Sequence, residues 1–151
     1  MALPDVTASG GPPPELPRSA HRVDFALPAT DEAVAEAREQ VRHHSDAWHL
    51  GADSRDTAAL VVSELVTNVV VHTDSDAVTC VFAATDEQVL IQVEDNGSGR
   101  SAPEPRYPPA HHSGGRGLMI VEAVSRCWGA SGRPDGGHVV WAMLQANDAA
   151  G

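Results

Sequence analysis

Apolar residues recur along the chain with two periods, and the switches between them divide it into elements. Val23, Phe25 and Leu27 alternate with polar neighbours from Arg22 onward, the period of a half-buried strand. Thr30-Asp31-Glu32 then offers a cap and an acidic first turn, and Val34, Ala37, Val41 and Trp48 follow at helical spacing, with Gly51 as the expected stop. A second helix is expected from Asp53 or Ser54 to about His72. Residues 77–84 and 88–95 predict two strands joined by the turn Thr85-Asp86-Glu87. A third, strongly apolar helix runs from Gly117 to Cys127, closed by Gly129, and the turn Pro134-Asp135-Gly136-Gly137 leads into a last strand, His138 to Gln145. Hairpins and adjacent helices in this order predict an α+β fold: a two-layer sandwich with helices on one face of a mixed, mainly antiparallel sheet.

Two stretches break the pattern. Residues 1–20 carry Pro4, Pro12, Pro13, Pro14 and Pro17 beside Gly10 and Gly11, too little apolar surface to offset ordering, which predicts a mobile tail before a domain at 21–146. A short tail, 147–151, follows it. From Asn96 to Ser113 the chain is rich in Pro, Gly, Ser and His, long for a passive connector, and is expected to be a functional lid or a disordered segment.

Composition narrows the chemistry. The 151 residues are 42% hydrophobic but only 4% aromatic, so Val, Ala and Leu must fill the core of a single domain. The formal charge is −11 and all ten basic residues are arginines, which argues against nucleic acid as a partner. Without lysine there is no Walker-A site, no protein-kinase strand lysine and no Schiff base. Cys80 and Cys127 stand far apart and are expected to be buried hydrophobes rather than zinc ligands. No apolar run approaches the roughly 20 residues of a membrane span, and no export signal opens the chain, so a soluble, cytoplasmic protein is expected.

Three polar interruptions stand out. Glu64, Asn68 and His72 fall four apart on a second helix that is otherwise apolar on most sides. They form either a narrow solvent-facing stripe or one wall of a wet cleft; in a cleft Glu64 is suited to deprotonating a hydroxyl, and the Asn68 amide oxygen is a hard ligand for Mg²⁺. Asp95 ends the apolar row Val89, Ile91, Val93, where an acid can accept from an amino group such as that of adenine. Asp-Asn-Gly is also a strong hairpin signal, but no strand follows Gly99, and Gly97 and Gly99 let the backbone pass close to a flat base. Gly114-Gly115-Arg116-Gly117 runs into Leu118-Met119-Ile120-Val121, a helix start able to cradle an anion or simply a flexible loop end. The adjacent His111 and His112 are either metal ligands or, as loop histidines more often are, simply solvated.

In this order the motifs resemble the histidine-kinase-like ATPase superfamily, the Bergerat fold. Ser63-Glu64-Leu65-Val66-Thr67-Asn68 resembles its N box, Val93-Glu94-Asp95-Asn96-Gly97-Ser98-Gly99 its first glycine box and Gly115-Arg116-Gly117-Leu118 its second, while Trp128-Gly129 and Gly137 to Leu144 are similar to its closing strands. Within the superfamily the chain looks like the small anti-sigma factor serine/threonine kinases of bacterial partner-switching systems. The resemblance implies ATP and Mg²⁺ as cofactors, Glu64 as general base, Asn68 as the Mg²⁺ ligand, Asp95 as the adenine contact and the amides of Gly115, Arg116, Gly117 and Leu118 on phosphate. It implies as partners a sigma factor and an anti-sigma factor antagonist, phosphorylated on serine, with homodimerisation left open. Two positions depart from the pattern: His138-Val139 stands where many relatives have Lys-Thr, and the loop between the glycine boxes offers only Arg100, Arg106 or Arg116 for a γ-phosphate. The competing expectations are a binding module that uses ATP to shape a partner surface without phosphotransfer, and the detached ATPase half of a two-component histidine kinase, disfavoured because no helix carries a phosphoacceptor histidine in a dimerising context.

Overall fold

A computed structural model describes residues 8–9, 12–96, 113–133 and 136–146, with main-chain placement alone for 8–9 and 113–117. Its elements are β1 (Ala8–Ser9), β2 (His21–Pro28), α1 (Asp31–Ala47), α2 (Ala52–His72), β3 (Ala77–Ala84), β4 (Gln88–Asp95), α3 (Ser113–Val124), β5 (Cys127–Gly132) and β6 (His138–Gln145). The strands form one sheet in the order β1-β5-β6-β4-β3-β2. Only β1 joins in parallel; every other pairing is antiparallel, giving the mixed, mainly antiparallel sheet expected.

Alternation explains the two layers. Val78, Cys80, Phe82 and Ala84 of β3, Val89, Ile91 and Val93 of β4, and Ala142 and Leu144 of β6 share the inner face with α1 and α2, joined by Val121 of α3. α2 is the spine of this layer: Ala58, Val61, Val62, Leu65 and Val66 are at most 1% exposed. Each large apolar side chain among them contributes about 1.5–3 kcal/mol on burial, which makes propensity secondary in holding this valine-rich helix. The opposite face has its own apolar layer of Ala83, Leu90, Val139, Trp141 and Met143, on which Leu16 packs. The N-terminal segment expected to be a tail therefore supplies Leu16 to this layer and Ala8–Ser9 to the sheet edge.

Three boundaries differ from the pattern-based prediction. α1 stops before Gly51. His49 takes a left-handed conformation (φ 62), with His49 N–H on the Asp46 carbonyl and Leu50 N–H on that of Ser45 (2.9 Å), the paired bonds of a Schellman end. Gly51 instead caps the start of α2. The third helix ends at Val124 rather than Cys127, because Cys127–Gly132 pairs with β6 and Arg126 N–H already reaches the Met143 carbonyl at 2.8 Å. A ladder with a central strand outweighs helical spacing in so short a segment. The same helix begins at Ser113, ahead of the predicted Gly117.

Candidate functional site

Asp95 ends the inner-face row of β4 and is 4% exposed, although carboxylates are rarely buried unpaired. Its partner on the neighbouring strand is His138: the His138 main-chain N–H donates to Oδ1 at 3.3 Å, and the imidazole Nδ1 lies 3.5 Å from Oδ2. The turn before β6 fixes that amide. Gly136 N–H bonds the Arg133 carbonyl at 3.0 Å and Arg133 N–H the Gly137 carbonyl at 2.7 Å, with Gly136 at φ 97, a conformation side chains resist.

Asn96 is tied to the exit of α2. Its main-chain N–H donates to Ser75 Oγ at 2.8 Å, its Oδ1 accepts from the Asp76 N–H at 3.2 Å, and the two side chains bond to each other. Ser75 Oγ also contacts the Ala77 carbonyl at 2.7 Å, and Thr73 closes α2 by bonding the Val69 carbonyl through N–H and hydroxyl. This clasp brings the C-terminal half of α2, with Glu64 and Asn68, to the Asp95 end of the sheet.

Glu64 and Asn68 are both half-buried, while His72, one turn on, is exposed. Among the described residues neither Glu64 nor Asn68 makes a side-chain hydrogen bond or ion pair. Ser63 and Thr67 spend their hydroxyls on helix carbonyls, Ala59 at 2.8 Å and Ser63 at 2.7 Å. Gly97 and Gly99 lie outside the described residues. Because α3 starts at Ser113, Gly115 and Arg116 fall in its first turn, whose N–H groups lack helical acceptors, whereas Gly117 and Leu118 fall beyond it. Leu118 packs against the inner core.

A cavity of about 310 Å³ lies at the far end of these same elements, between Asp53, Ser54 and Thr57 of α2, Val124 and Arg126 at the end of α3, Val89, and Gln145. It therefore excludes the predicted site residues, and it also fixes directions: α2 runs alongside β4 and opposite to α3. The start of α3 consequently stands at the Asp95 end. Burial pushes the Cys80 thiol up to about 12, and burial also raises Cys127 despite nearby Arg126, so neither is a ready nucleophile. No cluster of three His, Cys, Asp or Glu able to hold a metal occurs among the described residues, and no helix there is long and apolar enough to cross a membrane.

A family model described as histidine kinase-like ATPase domain matches residues 27–143. The chain belongs to this family. Two solved structures share the fold: the RsbU and RsbW domains of a Mycobacterium tuberculosis protein (20% identity, TM-score 0.60, 85% of this chain) and the SiaB–SiaC complex of Pseudomonas aeruginosa (15% identity, TM-score 0.57, 82% of this chain and 89% of that one). The chain spans about a third of the Mycobacterium chain, 34% of its length. No curated protein matches by sequence. The family's matched span covers α1 through most of β6, so Glu64, Asn68, Asp95 and the start of α3 all fall within it. The roles of Ser75 and His138 are not visible in the sequence. A Thr-Asp-Ser-Asp run after a helix signals local capping, but only the β4–β6 register puts His138 on Asp95.

Proposed function

We propose that the chain binds Mg-ATP and acts as an anti-sigma factor serine/threonine kinase, phosphorylating a serine on an anti-sigma factor antagonist and sequestering a sigma factor in the cytoplasm. The observation that carries this reading is Glu64: a half-buried carboxylate with no partner among the described residues, on an otherwise apolar helix, at the same end of the fold as Asp95. Family membership and the likeness to a structure containing an RsbW domain support it.

In this reading Asp95 accepts the adenine amino group, Gly97 and Gly99 let the backbone approach the base, and the amides of Gly115 and Arg116, with Gly117 and Leu118 behind them, face the phosphates. Asn68 fits a magnesium ion, because its half-buried amide oxygen is uncommitted among the described residues and magnesium needs few protein ligands when phosphates and water supply the rest. Magnesium, when bound, neutralises charge on the phosphate oxygens. Glu64 takes the proton of the attacking serine hydroxyl as its oxygen bonds the γ-phosphorus and the bond to the β,γ-bridging oxygen breaks, releasing ADP.

The experiment is incubation of the purified protein with γ-labelled Mg-ATP and candidate antagonists. Serine labelling should fall by about 10²–10⁴-fold in Glu64→Ala while nucleotide binding persists. A second reading, an ATP-binding partner-switch module without phosphotransfer, is favoured by the absence of lysine from the chain. Wild type that binds ATP yet labels no antagonist would establish it. Absence of an ATP-dependent rise in melting temperature would exclude both.

A further inference from the structure

We propose that the chain pairs with a second copy of itself through the outer edge of β2, the two strands running antiparallel about a two-fold axis at Val23. β2 ends the strand order, so among the described residues only β3 pairs with it. It is eight residues long, and its register with β3 runs unbroken from His21 to Pro28, with no bulge to turn the edge away.

The ladder shows which groups this edge offers. Ala29 N–H bonds the Asp76 carbonyl at 3.0 Å, one step beyond the Pro28–Ala77 pair, so the odd-numbered residues of β2 turn their main-chain groups to β3. Arg22, Asp24 and Ala26 therefore point theirs outward. Pro28 agrees with this phase, since a proline in a strand keeps its missing donor on the unpaired side. A second β2 must match outward groups with outward groups, which lets the axis fall at Arg22, Val23, Asp24 or Phe25. At Arg22 or Asp24 the axial residue faces its own like charge, which is destabilising. At Phe25, Arg22 faces Pro28, which has no N–H to give and whose carbonyl already accepts from Thr30 at 2.8 Å. At Val23, Arg22 faces Asp24 of the second copy and Asp24 faces its Arg22.

These two side chains share the outer face and bond each other along the strand, Nε to Oδ1 at 2.8 Å and Nη2 to Oδ2 at 3.2 Å. Pairing closes them into a ring of alternating charge. Edge charges commonly keep strands apart, but this pair is complementary to itself, as a two-fold interface requires. On the inner face Val23 meets Val23 at a position without mutual hydrogen bonds, where side chains come closest. Val23, Phe25 and Leu27 are only partly buried against the core, whereas Cys80 and Phe82 beside them on β3 are 1% exposed. A second strand covers that half-open row. Antiparallel pairing also sends the two Asp95 ends to opposite edges of the joined sheet.

The test is sedimentation equilibrium of the full chain over a concentration series. Wild type should show a monomer–dimer equilibrium that stops at the dimer, because a two-fold interface is closed. Arg22→Glu, and separately Asp24→Arg, sets like charges opposite at both symmetry-related pairs, and each should weaken the dimer by about tenfold or more. Both side chains are more than half exposed, at 61% and 52%, so neither change touches the core. Each also breaks the contact along one strand, and mixing separates the two effects. The acidic and the basic variant are complementary to one another, so an equimolar mixture should recover a heterodimer, identified by its mass, to within about threefold of wild-type affinity. The double variant Arg22→Glu with Asp24→Arg should recover the homodimer likewise. A wild-type chain that stays monomeric, a dimer indifferent to both single variants, or single variants that stay monomeric when mixed would overturn the proposal.

Discussion

Three rings meet Trp48 at the end of α1. His21 stacks on it (centroids 5.1 Å, 13°), Phe82 stacks at 4.9 Å, and His44 lies tilted at 5.6 Å, with His43 edge-on to His44. Burial lowers the His44 pKa from its usual 6.5, and the neighbouring His43 adds to the effect. The folded state thus binds fewer protons than the unfolded state in the window just below 6.5. Stability is full above that value, falls as pH drops through it, and levels off below the folded pKa. Denaturant midpoints measured at about pH 5, 6 and 7.5 by tryptophan fluorescence should show this decline in wild type and a shallower one in His44→Gln. An identical slope in the variant would remove His44 from the account.

Between elements, the Ser75–Asn96 clasp is the joint that sets the site. Ser75 is 9% exposed, and its hydroxyl is the acceptor for the Asn96 main-chain N–H. Ser75→Ala leaves that amide without its partner and should cost about 1–3 kcal/mol in urea unfolding. A change under about 0.3 kcal/mol would mean that the loop closes without it. The joint also shows where sequence reading stops. β3, β4 and β6 fall on the predicted residues because each is a short apolar run bounded by turn residues. Glu64, Asn68 and Asp95 are legible because each interrupts an apolar row. His49 is not, because its left-handed turn lacks the glycine that announces one. Nor does the hydrophobic pattern reveal β5, whose Gly, Ala and Ser residues carry no strand propensity and depend on β6; only the resemblance of Trp128-Gly129 to a closing strand points to it. Ser75 and His138 act through contacts across 21 and 43 positions of chain, which no local pattern encodes.

At the scale of the molecule, the sheet has apolar residues on both faces, but among the described residues the helices cover one. On the other, Trp141 is 4% and Met143 4% exposed, and Leu16 is among the residues packed there. A proline-rich segment makes an economical cover. Proline lowers the entropy lost on ordering, and Ala20 N–H closes a turn on the Pro17 carbonyl at 2.9 Å before β2 begins. Composition alone would treat residues 1–20 as removable. Packing argues otherwise, because deleting them strips cover from Trp141 and leaves an apolar surface on a sheet whose β5 edge also loses β1. A chain beginning at His21 should therefore show a red-shifted, more acrylamide-accessible tryptophan signal and concentration-dependent self-association. The milder Leu16→Ala should cost about 1 kcal/mol, less than a fully buried leucine because Leu16 is only partly covered. Wild-type fluorescence and a monodisperse elution profile in the truncated chain would show that the outer face is kept dry by other means.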